Sequence, residues 1–205
     1  MGGFIFRKLL RLDLREYKNE WMWEVTLRYN GQAMTTYLEN VLESPILSRI
    51  RRNHGLEHAA IHVLSKRHPG TALVGHSDAG GFWLIGNLST EQVADGVRTA
   101  LTRLRNGEHK LAVHPNCGTN FVTSGAFAGL AAAAAFIGAK KVTDKFARIP
   151  MAIALATLAL IAAQPFGFVV QERVTTSGYP GDLEIVEITP ARRGRFNAHR
   201  VVTRG

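Results

Sequence analysis

The chain has 205 residues, a net charge of +9 and a single cysteine. That length suits one domain with its own core plus an appendage, and a lone cysteine excludes an internal disulfide framework. The positive balance favours acidic partners such as anionic lipid, but the basic residues are spread along the chain without a base-reading motif, so no specific nucleic-acid partner is expected.

Residues 1–43 read as an N-terminal amphipathic segment suited to a membrane interface. Ile5, Leu9 and Leu12 fall at helical spacing among arginines and a lysine, and Trp21 and Trp23 follow. Such a pattern lies on a membrane surface or packs as an ordinary helix, and both readings stay open. Phe4-Ile5-Phe6 runs straight into Arg7 and Lys8, so no secretory signal is expected there.

Residues 44–117 read as a compact α+β unit. Ser44-Pro45 is a helix start and Pro69-Gly70 a stop, which predicts a helix over Pro45–Arg67. His54, Glu57, His58 and His62 then project to one side, because residues three and four apart are neighbours on a helix. Gly55 sits in mid-helix, where it costs about 1 kcal/mol relative to Ala. Its missing side chain would admit another backbone beside the histidines. Thr71–Gly75 and Gly81–Gly86 read as short strands joined by the turn residues Ser77–Gly81. His76 and Asp78 are expected at the solvated tip of that hairpin. Ser89-Thr90-Glu91-Gln92 is a capping box opening a helix with Val93, Val97, Ala100, Leu101 and Leu104 on one face. Lys110–Val113 reads as a third strand. The expected class is α+β, a small mixed helix and antiparallel-sheet domain with an inserted transmembrane helical hairpin.

That hairpin is residues 118–170. Gly118–Ala139 carries no charged residue, and neither does Met151–Val170. Each is long enough to cross a hydrocarbon core of about 30 Å as a helix. Their Ala and Gly content permits close helix–helix approach in lipid. Residues 171–205 form a C-terminal β-hairpin and basic tail. Its strands, Leu183–Ile188 and Phe196–Val202, are expected to extend the first sheet and to bring both ends of the apolar hairpin to one side of a membrane.

His54-x-x-Glu57-His58 inverts the order of the His-Glu-x-x-His motif but keeps its geometry. Two histidines one turn apart offer two imidazole ligands, and the intervening carboxylate can accept a proton from metal-bound water. Sixty residues on, His114-Pro115-Asn116-Cys117 offers two further ligands where the chain enters the first apolar helix. A cysteine at a helix N-terminus has its thiolate favoured by the dipole. Nitrogen and thiolate donors point to zinc. If His54, His58, His114 and Cys117 all bind, the site is closed and structural. If three bind, a position remains for water and Glu57 becomes a general base. His62, Asn53 and Asn120 are candidates to support the site from its edges, and Glu108 is a weaker candidate ligand.

His54-Gly55-Leu56-Glu57-His58 taken with His114-Pro115-Asn116-Cys117-Gly118-Thr119 resembles the YqhQ-like group of bacterial membrane proteins, described as predicted metal-dependent enzymes and largely uncharacterised. That resemblance covers about residues 53–120. It implies metal ligation by His54, His58, His114 and Cys117 with Glu57 nearby, and it supplies no substrate.

Three readings follow. One is a membrane-anchored zinc hydrolase in which Glu57 activates metal-bound water. Another is a membrane protein whose zinc is structural and whose role is partner or lipid binding. The third is a thiol enzyme with Cys117 as nucleophile and His114 or His58 as base. The expected partners are the lipid bilayer, an unidentified substrate and, as an open option, a second copy of the chain. The expected location is the bacterial inner membrane. Lys140, Lys141, Lys145 and Arg148 between the apolar stretches favour a cytoplasmic loop. A long preceding domain with a thiol ligand favours a cytoplasmic domain instead, and the latter is the expectation.

Overall fold

The computed structural model describes residues 39–205. The amphipathic stretch over 4–17 and Trp21 and Trp23 lie outside the described residues.

Helix α1 is Pro45–Arg67, as the start and stop residues predict. Pro45 opens it, and Ser44 stands at the N-cap through its backbone carbonyl, which accepts from Ser48 at 2.9 Å; its side chain makes no capping bond. Gly70 beyond the end takes a positive φ of 83°. The second half of α1 is buried on nearly every side. Leu56, Ala59, Ala60 and Leu64 are fully buried in the core, while Asn53, Glu57 and His58 are buried polar groups. Each fully buried leucine contributes about 1.5–3 kcal/mol.

Strands β1 (Val74–Asp78) and β2 (Gly81–Ile85) form a tight hairpin, with Asp78 opposite Gly81. β1 therefore begins and ends three residues later than the sequence suggests. The turn shrinks to Ala79-Gly80, and His76 and Ser77 become strand residues. Helix α2 (Thr90–Arg105) carries the expected capping box between Ser89 and Gln92 and buries Val93, Val97, Ala100, Leu101 and Leu104. Gly96 lets α2 approach α1 closely, since a β-carbon there would collide with Leu64.

His109–Ala112 is a single 3-10 turn rather than the expected third strand. It packs on α1 instead of beside a sheet edge, and its outgoing carbonyls are already engaged: Ala112 with His58 at 2.7 Å and Val113 with His62 at 2.9 Å. A strand there would need those acceptors for a ladder.

The apolar region is helical. α3 is Gly118–Ala134, α4 is Val142–Ala162 and α5 is Gln164–Val170. The second apolar stretch is thus not one helix over Met151–Val170. Helix α4 starts earlier, taking in Lys145 and Arg148, and gives way at Ala163 to α5. Pro165, at the start of α5, has no N–H to continue the helix of α4. Arg148 folds back to donate to the carbonyls of Ala135 and Ile137, at 3.1 and 2.6 Å, closing the end of α3. The returning leg ends in a π-helical turn, Gln171–Thr175.

Strands β3 (Glu184–Arg193) and β4 (Phe196–Arg204) complete one antiparallel sheet in the order β1-β2-β4-β3. The tail does extend the first sheet, because β4 pairs with β2 from Gly81↔Val202 to Ile85↔Ala198. One hydrophobic core spans α1, α2 and the sheet, with Phe82, Leu84, Leu183 and Val201 among its members. Residues 44–117 and 171–205 therefore share a core, and the helices α3 to α5 are inserted between them.

Candidate metal centre

His54 and His58 lie one turn apart on α1, so their rings share a face, with centroids 4.4 Å apart. Cys117 is the N-cap of α3, in extended backbone geometry. Together the three offer two imidazole nitrogens and a sulfur that all lie within 4.8 Å of one another. His54 Nε2 is 3.5 Å from Cys117 Sγ. The far side of each ring is anchored: His54 Nδ1–H donates to the Thr175 carbonyl at 2.9 Å and His58 Nδ1–H to the Ala112 carbonyl at 2.7 Å. Bonds of this kind fix the tautomer with Nε2 unprotonated, and they are how proteins orient metal-binding histidines. This His54–His58–Cys117 cluster could hold a metal ion.

The electrostatics agree with a poised thiolate. Burial alone would push the Cys117 thiol up; hydrogen bonding from His54, His58 and Thr119 outweighs it and brings the group down to about 4. His54 moves the other way. Burial would lower it, but the Cys117 contact, Glu57 and the Thr175 carbonyl together raise it. A bound cation would favour the Cys117 thiolate further and take His54 as a neutral ligand through Nε2.

The cluster opens into a cavity of about 610 Å³ that also exposes Glu57, His114 and Ser77. Glu57 Oε2 accepts from the Ser77 hydroxyl. Burial raises the Glu57 carboxyl, against the lowering effects of Ser77, His54 and His58. Gly75 clears room for it, because a β-carbon there would overlap the carboxylate. Gly75 and Ser77 are two apart on β1 and so face the same way. Neither is a site candidate in the sequence reading, which ends the strand at Gly75 and puts Ser77 in the turn; the period-2 relation to Glu57 emerges only once β1 runs to Asp78.

His114 stands in the same cavity but outside the three-atom cluster. Its ring centroid lies 5.6 Å from that of His58 and 4.8 Å from that of His62. Its Nδ1 accepts from the Asn116 N–H at 3.2 Å. Burial, then the neighbouring His62 and His58, hold it down to about 4, so it is neutral near pH 7. His62 donates from Nε2 to the Val113 carbonyl at 2.9 Å, steadying the loop below His114.

Of the edge candidates, Asn120 does border the site. Its amide donates to the carbonyls of His114 and Pro115, at 3.2 and 3.0 Å. Asn53 is fully buried but faces the sheet, donating to the Asp78 carbonyl at 2.9 Å and accepting from Thr203 at 2.6 Å. Glu108 is paired with Arg103 at the end of α2. Asp78, expected at a solvated tip, is held by Arg200 through two contacts of 2.8 Å, and His76 lines the cavity.

The sequence reading misses Gln171 and Thr175, which have no motif around them. Gln171 is fully buried and clamps the His114 backbone from both sides, its Oε1 accepting from the N–H and its Nε2 donating to the carbonyl, each at 3.1 Å. Thr175 supplies the carbonyl for His54 and a hydroxyl 2.9 Å from that of Thr119. Both belong to the π-helical turn, whose register no local pattern announces.

Two comparisons bear on this centre. A family model described as a domain of unknown function, DUF6391, matches residues 49–188, which take in the whole cluster and the apolar helices. An uncharacterized protein of the cyanobacterium Picosynechococcus sp. (strain PCC 7002) is 39% identical over 150 residues, covering 68% of this chain and 71% of that protein. No solved structure matches the chain.

Proposed function

The chain belongs to the DUF6391 family of domains of unknown function, and from that premise we propose that it is a membrane-anchored, metal-dependent hydrolase. The observation that carries the reading is the three-donor cluster of His54, His58 and Cys117 beside a buried carboxylate in one open cavity. Three protein donors leave a tetrahedral ion one position for water, as in catalytic zinc sites. Zinc there would act as a Lewis acid and make that water acidic. Glu57, whose carboxylate Ser77 holds in place, would be the group that accepts a proton there. His114, neutral near pH 7 and held through its backbone by Gln171 and Asn120, would donate to or orient a substrate carbonyl. The likeness of the two motifs to the YqhQ-like group supports the same assignment.

Anchoring rests on the inserted helices. α4 is 21 residues long and apolar enough to cross a bilayer, and almost none of it is buried. At 1.5 Å per residue it spans about 32 Å, against a hydrocarbon core of about 30 Å. Ile153, Leu158 and Ile161 on α4 are each more than 60% exposed, as are Phe121 and Val122 on α3.

Glu57→Gln tests the chemistry. The expected result is full metal content with hydrolysis of an amide or ester panel reduced by about 10²–10⁴-fold, the usual contribution of a general base. Unchanged turnover at unchanged metal content would remove Glu57 from the mechanism. A second reading is favoured by one observation, the Cys117 thiolate paired with His54 at 3.5 Å. As a thiol enzyme the chain would be active when metal-free and stopped by alkylation of Cys117, which metal analysis of active protein distinguishes.

A further inference from the structure

We propose that the substrate is a bilayer-borne amphiphile, an acyl ester or amide whose carbonyl meets the metal cluster at headgroup depth and whose chain lies along an apolar track on α1. The proposal rests on the metal-site reading above and extends it to a substrate class.

Its first support is where the cluster sits relative to the apolar helices. Cys117 is the residue that caps α3, and Phe121, one turn along at about 6 Å of rise, is 66% exposed. On the returning leg, Thr175 holds His54 through its carbonyl, while Val169, six residues earlier, is 47% exposed. Both legs therefore change from bare apolar surface to site residues within one to two turns. With the helices in a bilayer, the cluster lies in the interfacial layer, not out in water.

The second support is a stripe on α1. Ile46, Ile50, His54 and His58 succeed one another at four-residue intervals and so lie along one face. Ile50 lines the metal cavity together with Gly118 and Thr119 of α3. Ile46, one turn further from the histidines, is 67% exposed. The apolar track thus begins at the cluster, runs along the cavity wall beside the foot of the hairpin and ends at the surface. Leu73 and Val74 form an apolar rim opposite, with Val74 60% exposed. A small polar substrate has no use for such a wall. An acyl chain entering from the interface does, and each methylene buried along the track adds to its binding.

The test uses full-length protein in phosphatidylcholine vesicles, with cobalt(II) in place of zinc, and titrates acetohydroxamate against octanohydroxamate. A hydroxamate head seeks an open metal position, and the cobalt absorption reports both thiolate ligation and hydroxamate binding. After correction for partition into protein-free vesicles, octanohydroxamate should bind at least about ten-fold tighter, the equivalent of two buried methylenes. Ile50→Ser should cut that preference several-fold. Val74→Asp, at an exposed position, should act in the same direction and guards against a folding defect in the first variant. Equal affinities in a cobalt protein with thiolate ligation, or a preference that neither variant alters, overturn the amphiphile proposal and leave the metal reading standing. Absence of the thiolate–cobalt band overturns both. A thiolate–cobalt protein that responds to neither hydroxamate has no open position, which overturns the hydrolytic reading and this proposal together.

Discussion

Gly55 shows how much of the metal centre hangs on single atoms. A β-carbon there would occupy the space of the Ser177 carbonyl, which the backbone brings close by a 2.9 Å bond from Ser177 N–H to the Arg51 carbonyl. Ser177 lies two residues beyond Thr175, whose carbonyl orients His54. The helix accepts the cost of a glycine because the closing segment must pass within reach of His54. Gly55→Ala should therefore destabilise the fold by about 1–3 kcal/mol, as overpacking does, despite the better helix propensity of alanine. Urea unfolding of the metal-free protein measures this, and on the proposed metal-site reading metal affinity should fall with it as the Thr175 carbonyl shifts. A stabilised variant would show that Ser177 can move away freely.

Between elements, two polar ties fasten α1 and the sheet into the frame that holds the cluster. Asn53 bridges β1 and β4 through the Asp78 carbonyl and Thr203. Asp78 and Arg200 clamp the same two strands across β2, and Arg200 stacks over Trp83 at 5.2 Å. The Arg200 hydrogen bonds hold the Asp78 carboxyl below its ordinary value, more than offsetting partial burial. For a depressed folded-state value, the stabilisation is complete above the unfolded value of about 3.9 and is lost as the pH falls through the lower folded one. Asp78 remains partly exposed, so solvent screens the pair. Asp78→Asn should cost about 0.5–1 kcal/mol near neutral pH, and the difference from the parent should shrink on acidification below about pH 4. Urea curves for both proteins across a pH series check this; a gap that widens in acid would contradict the sign.

At the scale of the whole molecule, the inserted helices are the part of the chain with the most exposed apolar surface, and the membrane-anchored reading rests on them. The sheet domain has a continuous core without them, and they present a run of exposed apolar residues that water disfavours. Among the described residues they meet the domain at their feet, where Cys117, Thr119, Asn120, Gln171 and Thr175 gather around the site. The proposed membrane attachment and the proposed metal binding would thus draw on adjoining segments. Alkaline carbonate washing of membranes from expressing cells should leave the full chain in the pellet. Its release into the supernatant would show that the hairpin is covered by something other than lipid.

Much of this was legible in linear order because the signals were local. Ser44-Pro45 and Pro69-Gly70 bound α1, Ser89 and Gln92 start α2, and the four-residue rhythm from His54 to His58 sets two donors on one face; all depend on neighbours within a turn or two. The uncharged run after Cys117 likewise announces an apolar helix. The choice among donors was not local. Cys117 joins His54 and His58, while His114, only three residues earlier, stands outside the cluster because Gln171 and Asn120 fix its backbone. Ser77 and Gly75 meet Glu57 through strand register, and Lys110–Val113 is no strand because two histidines claim its carbonyls. Apart from the Asn120 bonds, those outcomes turn on contacts between residues 18 to 63 positions apart, which composition and periodicity do not encode and which only the packed chain brings within reach.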